Sequence, residues 1–390
     1  MSGYIFALDS AETLRLYAES GVYATKISRP DHYWNANHLY TLGDYLTMRS
    51  GDLVFFFIKR KIYGVGRLIR LLESPSAAVA ACNYPKSYMP DRRYSRTELL
   101  WDEGDNLDRP WLCFFQPFPC FFKHGLDIDE VLDADVRGVV QALRVFERVS
   151  FLQMRDDEAN LLNDLFVRRF GEGGAEQYDS HHVLSHDGIR ERVGRRPTDY
   201  VLDTRELIRS YAEPTGRVRS EAALETWLID EIGRADASVT AIVGDWDFIT
   251  HQVPASPNKP VVYMDRIDLL GWETRCLAEG AKPTVCRLKV VEVKKDLLAG
   301  RLGEETVTQL MKYVDWITTH EAGGDYSMVD AYLVACGFSD ETINYCMERA
   351  RREFVFQRRP FVSMTWDNIT LVAYWYDRAT DSLKLEQVYP

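Results

Sequence analysis

Three residues in the carboxyl-terminal half have the types and spacing of a metal-assisted hydrolytic site. Glu292 and Lys294 are two residues apart in an apolar, valine-rich segment that has the composition of a strand. Side chains two residues apart share one face of a strand, so we expect the carboxylate and the ammonium to lie together. Asp268 lies between Ile267 and Leu269 in an earlier strand-like segment. If the two strands are neighbours, both carboxylates lie within a few ångströms of the ammonium.

Such a group would suit the hydrolysis of a phosphodiester bond. Carboxylate oxygens, a backbone carbonyl and water are the ligands that Mg²⁺ prefers. A bound Mg²⁺ would stabilise charge on the phosphodiester and lower the pKa of a bound water. Lys294 would position or deprotonate that water, or stabilise the developing negative charge. We therefore expect Mg²⁺ as the cofactor, with Mn²⁺ as a substitute.

The segments on either side of these strands add polar residues at helical spacing. Gln309 and Tyr313 are four residues apart in a helical pattern and therefore share one face. Glu221 and Glu225 are also four apart, in an amphipathic helical pattern that precedes the strands. Each residue alone has an ordinary alternative as a solvated strand or helix face, and only their order in one domain favours a site.

The elements that must position these residues form an alternating pattern. From residue 188 onwards, helical and strand-like segments follow in the order helix, strands, helix, strand, helix, strand. This order predicts an α/β domain with a mixed central sheet over 188–390.

In this order, the motifs resemble those of the PD-(D/E)xK nuclease superfamily. Asp268, then Glu292-x-Lys294, then Gln309-x-x-x-Tyr313 are similar to its RecB-type branch and to the EndoMS/NucS endonucleases. The resemblance implies a restriction-endonuclease-like fold with Asp268 and Glu292 as metal ligands and Lys294 as the catalytic lysine. It implies Gln309 as a supporting active-site residue and Tyr313 as a DNA-side or structural contact.

The same resemblance implies an acidic residue on the preceding helix. Glu221 matches the Glu-x-x-Leu pattern of the family best and is expected to be a catalytic residue and a metal ligand, with Glu225 as the second choice. Ile267 stands where the family name has a proline. The match covers residues 219–375.

The amino-terminal part carries a second resemblance. Trp34, the Gly51-Asp52 turn, the apolar strand that follows it and Gly64-x-Gly66 resemble the pattern of PUA-like domains of the EVE/YTH type. The resemblance implies a PUA-like β-barrel of α+β composition over 1–126 that binds one flipped, modified base.

A flipped base is held by aromatic stacking and by hydrogen bonds to its edge. We therefore expect Trp34, Tyr33, Ser28, Asn37 and Trp111 to line the pocket. The alternative is that the two tryptophans belong to the hydrophobic core, and that Ser28 and Asn37 only cap loops.

Composition excludes several classes of protein. The chain has 390 residues and a net charge of −12, which argues against nonspecific coating of nucleic acid. Its seven cysteines include no CxxC pair, so neither a zinc ribbon nor a disulfide framework is expected. No apolar run reaches the ~20 residues of a membrane span, and the first residues do not resemble a signal peptide. A cytoplasmic location and no membrane partner are expected.

Together these patterns predict a multidomain protein. A nucleic-acid reader domain occupies 1–126, a helical connector and linker 127–187, and the nuclease domain 188–390. The function that we expect is Mg²⁺-dependent DNA cleavage near a modified base, in restriction and anti-phage defence. The alternatives are a repair nuclease for mismatched or branched DNA, and a nucleic-acid-binding protein with a silent nuclease site. RNA stays open as a target of the reader domain, and a homodimer is expected if both strands are cut.

Overall fold

The protein, described here by a computed structural model, consists of two compact units, Met1–Asp203 and Thr204–Pro390. The structure describes the following residues: 2–27, 34–71, 80–85, 96–102, 109–117, 121–122, 124–135, 140, 143, 150–171, 175–176, 184–196, 199–202, 204–255, 265–276, 283–297 and 300–389. The predicted separation of a reader domain from a connector within the first unit stays a prediction, and most of the linker that we predict at 171–187 lies outside the described residues.

The amino-terminal unit has ten strands and five α-helices among its described residues. Its strands are β1 (Gly3–Leu8), β2 (Val22–Thr25), β3 (Leu53–Ile58), β4 (Lys61–Leu68), β5 (Ala80–Cys82), β6 (Trp111–Gln116), β7 (Phe121–Phe122), β8 (Leu126–Asp127), β9 (Phe151–Met154) and β10 (Ala175–Glu176). Its helices are α1 (Ala11–Ser20), α2 (Ala36–Thr47), α3 (Ile128–Ala134), α4 (Asp156–Phe170) and α5 (Leu184–Arg195).

Eight of these strands form one sheet. Its hydrogen-bonded order is β2-β6-β4-β3-β1-β9, with β5 paired to β6 and β8 paired to β4. In the described part of the chain, the end strands β2 and β9 do not pair, so the sheet does not close into the barrel that we predicted. Side chains join the two ends instead, since the ring of Tyr23 on β2 lies 5.4 Å from that of Phe151 on β9. The predicted connector supplies β9, so the sheet also extends beyond residue 126.

Aromatic side chains fill the inner face of this sheet. Tyr45 of α2 lies parallel to both Trp111 and Phe151, with ring centroids 5.7 and 5.9 Å away. Its hydroxyl donates to the carbonyl oxygens of Ala81 and Leu112, so the polar group of this buried ring has hydrogen-bond partners. This packing ties α2 to strands β5, β6 and β9.

The carboxyl-terminal unit has five helices among its described residues: α6 (Thr204–Tyr211), α7 (Glu221–Gly233), α8 (Ala237–Val243), α9 (Gly300–His320) and α10 (Asp340–Arg349). Its strands are β11 (Phe248–Pro254), β12 (Arg266–Arg275), β13 (Thr284–Val293), β14 (Val329–Ala335), β15 (Arg352–Arg358), β16 (Phe361–Trp366), β17 (Ile369–Asp377) and β18 (Ser382–Tyr389).

The central sheet of this unit is mixed, as predicted. Six strands pair in the order β11-β12-β13-β14-β17-β18. Strands β11 to β13 are antiparallel, β13, β14 and β17 are parallel, and β18 returns antiparallel to β17. Strands β15 and β16 form a separate two-stranded ribbon. The coarse prediction of a mixed α/β chain is therefore confirmed.

Helix α7 is buried around most of its circumference. Ser220 caps its first turn by accepting a hydrogen bond from the Ala223 amide at 3.3 Å. Eleven successive residues from 222 to 232 are buried, and they include the carboxylates of Glu225, Asp230 and Glu231. A helix that buries carboxylates on its inner face must provide partners for them.

Neither a membrane span nor a disulfide is found within the described ranges. No described helix is long and apolar enough to cross a bilayer. The six described cysteines are all free thiols, and Cys82, Cys113 and Cys346 are buried as small apolar side chains.

Candidate active site

The β-sheet register brings Asp268 and Glu292 together. Leu269 on β12 lies opposite Val291 on β13, and the next position along this antiparallel ladder places Asp268 opposite Glu292. Residues opposite each other point to the same face of a sheet. The Val293 amide also donates to Asp268 Oδ2 at 2.8 Å. The predicted proximity of these two carboxylates is therefore found in the structure.

Lys294 follows β13 directly and joins this pair. Its amide donates to the carbonyl oxygen of Val334 on β14 at 2.8 Å, which continues the parallel pairing past the end of the strand. Its ammonium Nζ lies 2.5 Å from Glu292 Oε1 and 3.8 Å from Asp268 Oδ2. The ammonium thus neutralises part of the negative charge of both carboxylates.

Helix α7 adds two carboxylates, one buried and one partly exposed. Glu225 is only 2% exposed, and its Oε2 accepts a hydrogen bond from Gln252 Nε2 at 2.9 Å. Glu221, one turn earlier, accepts from the amide of Lys295 at 3.1 Å. Both residues face the site, but Glu225 is the one that shares a hydrogen-bond donor with Asp268.

That shared donor, Gln252 on β11, was not predicted from the sequence. Its Nε2 also donates to Asp268 Oδ1 at 3.3 Å. Its backbone has a φ of 51°, in the left-handed region that residues other than glycine rarely adopt. The strand pattern of β11 carries no signal for this conformation, which only the pairing with β12 and the contact with α7 reveal.

Helix α9 contributes Gln309 and Tyr313, which contact each other. Gln309 Nε2 donates to the Tyr313 hydroxyl at 2.7 Å, so the two residues share one face as predicted. Tyr313 is 2% exposed and belongs to the hydrophobic core of the unit. Burial raises its pKa, and the negative charges of Glu292 and Asp268 add to the shift. Tyr313 therefore lies within electrostatic reach of the carboxylates rather than on the surface.

Burial and mutual repulsion make the carboxylates hold protons more strongly than usual. Burial, followed by the charge of Asp268, raises the pKa of Glu292 to about 8. Burial also raises the pKa of Glu225 and that of Asp268. Burial disfavours the charged form of Lys294, but Glu292 and Asp268 outweigh it and raise the pKa of the ammonium. The site therefore carries more negative groups than its one ammonium can neutralise.

One buried oxygen of the site lacks a partner. Glu292 is 1% exposed, and among the residues that the structure describes none donates a hydrogen bond to its Oε2. An unpaired buried carboxylate oxygen is costly, and a divalent cation would satisfy it. Asp268, Glu292 and Glu225 offer the hard oxygen donors that Mg²⁺ prefers.

The present side-chain positions do not yet form a complete metal cage. No group of three or more histidine, cysteine, aspartate or glutamate side chains in the described part of the chain has the spacing of a metal centre. Glu292 Oε1 is engaged by Lys294 and Asp268 Oδ2 by the Val293 amide. The donor chemistry fits Mg²⁺, provided that the carboxylates turn from these partners when a cation binds.

The residues predicted to read a base lie in the amino-terminal unit. Trp34 and Trp111 are 2% and 0% exposed, and their rings meet edge to face with centroids 5.2 Å apart. Asn37 is exposed in the first turn of α2. Ser28 and Tyr33 lie outside the described residues. The described part of the predicted pocket therefore consists of two buried rings and one exposed amide.

A cavity of about 310 Å³ lies elsewhere in the same unit. Its polar lining includes Asp9 after β1, Thr13 of α1, Lys26 after β2 and Arg109 before β6. None of the described residues predicted to hold a base lines it.

Comparison with known proteins gives no family for this chain. No family model matches it, and no curated protein matches it. A crystal structure of a Pseudomonas putida protein is similar to it at 16% identity, over 42% of this chain and 97% of that one, with a TM-score of 0.25. A crystal structure of an Agrobacterium tumefaciens protein is similar at 14% identity, over 45% of this chain and 100% of that one, with a TM-score of 0.24. At these TM-scores, neither likeness carries an argument about fold or function.

Proposed function

We propose that this chain is a Mg²⁺-dependent endodeoxyribonuclease. The observation that supports this proposal is the grouping of Asp268 and Glu292 beside Lys294, with a buried Glu292 oxygen that has no partner among the described residues. A purely structural ion pair would need only one carboxylate for one lysine. Excess buried carboxylates favour a divalent cation as the missing partner.

Asp268, Glu292 and one glutamate of α7 would hold the cation. Glu225 is better placed for this role than Glu221, because it is buried and shares the Gln252 donor with Asp268. When bound, Mg²⁺ supplies charge neutralisation for the phosphodiester and a more acidic water. The contribution of the protein is to hold these carboxylates together at the end of β13.

Lys294 would act as a hydrogen-bond donor. Because the neighbouring carboxylates raise its pKa, the ammonium stays protonated at neutral pH. A protonated lysine cannot deprotonate water, but it can orient the attacking water or stabilise the oxygens that gain negative charge. Of the roles considered from the sequence, positioning and charge stabilisation are therefore preferred over that of a general base.

The amino-terminal unit would direct the nuclease to a marked site. The resemblance to EVE/YTH-type domains supports a modified base as its ligand, and restriction of modified foreign DNA as the biological role. The pairing of this resemblance with that of the nuclease motifs is what supports this role. The alternative role for the same active site is the repair of mismatched or branched DNA.

One observation favours a different class, a nucleic-acid-binding protein with a silent nuclease site. In the part of the chain that the structure describes, the carboxylates do not stand at the spacing of a metal centre. While Lys294 stays bound to Glu292 Oε1, a cation cannot use that oxygen, and Oε2 is the atom of this carboxylate that no described residue engages. The nuclease and the nucleic-acid-binding protein therefore differ in whether a divalent cation can displace Lys294 from Glu292.

Cleavage by the full chain of DNA duplexes that are otherwise identical in sequence tests the proposal. One duplex is unmodified, one cytosine-modified, one adenine-methylated and one contains a mismatch, and each is incubated with Mg²⁺ or Mn²⁺. We expect cleavage confined to a modified duplex, and its loss in Glu292→Gln, which keeps the size of the side chain. Glu386→Gln, at an exposed position on β18, is the matched control and should cleave like the wild type.

The outcomes separate the three functions. Cleavage of only the mismatched duplex would indicate repair rather than restriction. Equal cleavage by Glu292→Gln would show that the site is assigned wrongly. Binding of a duplex without cleavage under any of these conditions would favour the silent-site protein.

A further inference from the structure

Gln252 interrupts β11 with a backbone conformation that is unfavourable for its residue type. Its φ is 51°, although the residues on either side pair regularly with β12, His251 with Leu269 and Val253 with Ile267. A residue other than glycine in this left-handed region is strained, and the conformation persists only where surrounding contacts impose it. The contacts of Gln252 must therefore outweigh this strain.

The contacts that Gln252 makes are with two carboxylates from two different elements. Its side-chain nitrogen donates to Glu225 Oε2 on α7 at 2.9 Å and to Asp268 Oδ1 on β12 at 3.3 Å. The Val293 amide donates to the other oxygen of Asp268. Gln252 thus links the helix to the strand and fixes the plane of the Asp268 carboxylate from the side opposite Val293.

Glutamine is suited to this position because its carboxamide is neutral. It has two N–H donors, so it can serve two acceptors without adding charge. A lysine or arginine here would compete with a metal cation for the same oxygens. A glutamate here would add a further negative group to Glu225, Asp268 and Glu292, with only Lys294 to offset them.

We infer that Gln252 is a positioning residue that orients Glu225 and Asp268 to receive a divalent cation. This inference rests on the proposed function and adds to it a residue that lies outside the nuclease motifs. It also accounts for the strained backbone of β11, because the left-handed conformation at Gln252 directs its carboxamide to both carboxylates at once.

Two substitutions of Gln252 separate positioning from folding. Gln252→Met keeps the length of the side chain and the strained φ, but removes the N–H donors. Gln252→Gly removes the donors and relieves the strain. Ala235→Gly is the matched control, because exposed Ala235 has a φ of 54° after α7 and does not contact the site. The measurements are Mn²⁺ affinity by calorimetry at pH 8, thermal unfolding without metal, and cleavage as a function of Mg²⁺, all on the full chain.

We expect Gln252→Met to bind Mn²⁺ about 10–100-fold more weakly than the wild type, as is usual when a residue that supports metal ligands is lost. Its cleavage rate should fall at low Mg²⁺ and recover at high Mg²⁺, because the ligands themselves remain. Gln252→Gly should lose Mn²⁺ affinity to a similar extent, while its melting temperature falls less than that of Gln252→Met, because the strain is relieved as the contacts are lost. Ala235→Gly should raise the melting temperature with unchanged Mn²⁺ affinity.

The failure of this inference can be told apart from that of the proposed function. If the wild type binds Mn²⁺ through Asp268, as tested with Asp268→Asn, and Gln252→Met binds it equally well, the inference is wrong and the proposed function stands. A lower melting temperature in both Gln252 variants, with unchanged affinity, would likewise show a purely structural role. If the wild type binds no Mn²⁺, the proposed function and the inference are both wrong.

Discussion

The two regions predicted to carry function use burial in opposite ways. In the carboxyl-terminal unit, Glu292 and Glu225 are buried although they are acidic, the side chain of Asp268 is 14% exposed, and Lys294 is the ammonium that offsets them. In the amino-terminal unit, the buried members of the predicted pocket are the rings of Trp34 and Trp111. Burial opposes folding in the first region and favours it in the second.

This difference affects how strongly each region argues for function. An aromatic ring buries about 150–250 Å², which at about 25 cal/mol per Å² stabilises the fold by several kcal/mol without any further role. A buried carboxylate lacking full compensation costs several kcal/mol. Apolar burial therefore accounts for the tryptophan rings, apart from the indole nitrogen of Trp111, for which no described residue supplies an acceptor, whereas it does not account for the carboxylates.

The largest effect is expected at Lys294. Lys294→Ala should lower the rate of Mg²⁺-dependent cleavage by about 10³-fold, because it removes a donor from the place where negative charge develops. Single-turnover kinetics at saturating Mg²⁺ measure this loss directly. Lys295→Ala changes the exposed neighbouring lysine and should leave the rate within about twofold. More than a tenth of the wild-type rate in Lys294→Ala would contradict the role given to Lys294.

Trp111 tests the other side of the comparison. Trp111→Ala should lower the free energy of unfolding of the amino-terminal unit by about 3–5 kcal/mol, since the ring is fully buried against Tyr45 and Trp34. Urea unfolding followed by circular dichroism measures this change. Trp375→Ala, at a ring that is 41% exposed, should cost far less. A stable Trp111→Ala protein with lost affinity for modified DNA would instead make this ring part of a binding pocket.

The pH dependence of stability should reveal the buried carboxylates. The pKa of Glu292 is raised from an ordinary 4.5 to about 8, so between these values the folded state holds a proton that the unfolded state has lost. The free energy of unfolding should therefore fall as pH rises through this range, by up to about 1.4 kcal/mol per pH unit. Glu225 and Asp268 act in the same direction, because their pKa values are also raised.

Thermal unfolding between pH 5 and 9 provides the measurement. Glu292→Gln should flatten the decline, and saturating Mg²⁺ should stabilise the wild type more at pH 8.5 than at pH 6, because ionised carboxylates bind the cation. Glu386→Gln, whose carboxylate is exposed, should keep the wild-type slope. A wild-type melting temperature that rises with pH in the absence of metal would show that these carboxylates are ionised throughout.

The parts of the site that could be predicted are those that local periodicity determines. Glu292 and Lys294 share a face because strand side chains alternate, and Gln309 and Tyr313 share one because a helix repeats every 3.6 residues. The choice between Glu221 and Glu225 could not be made in this way, since residues four apart share a face. The packing of α7 in the folded unit decides between them, because it buries Glu225 and leaves Glu221 partly exposed.

Features that depend on long-range contacts could not be predicted. Gln252 enters the site because β11 pairs with β12 and lies against α7, and its left-handed backbone contradicts the strand pattern around it. Closure of the observed sheet would likewise require β2 and β9 to pair across about 130 residues of chain, and β9 lies beyond 1–126, the range over which the barrel was expected. The two ends of the sheet are instead joined by the side chains of Tyr23 and Phe151.

The smallest effect on stability is expected at Asn37, the described pocket residue that is exposed. Asn37→Ala should change the free energy of unfolding by less than about 0.5 kcal/mol, because an exposed side chain in the first turn of α2 adds little to the fold. If its amide reads the edge of a flipped base, affinity for the modified duplex should fall about fivefold to tenfold, the equivalent of one hydrogen bond. Fluorescence anisotropy in a Glu292→Gln background measures binding without cleavage.

Asn160→Ala, at an exposed position on α4 of the same unit, is the matched control and should bind like the parent. A loss in Asn37→Ala that is confined to the modified duplex would place base reading beside the buried tryptophans, so that their burial serves to shape a pocket. An equal loss with unmodified DNA would indicate a general contact with nucleic acid. Unchanged affinity would remove Asn37 from the pocket, and the burial of Trp34 and Trp111 would then be explained by the core alone.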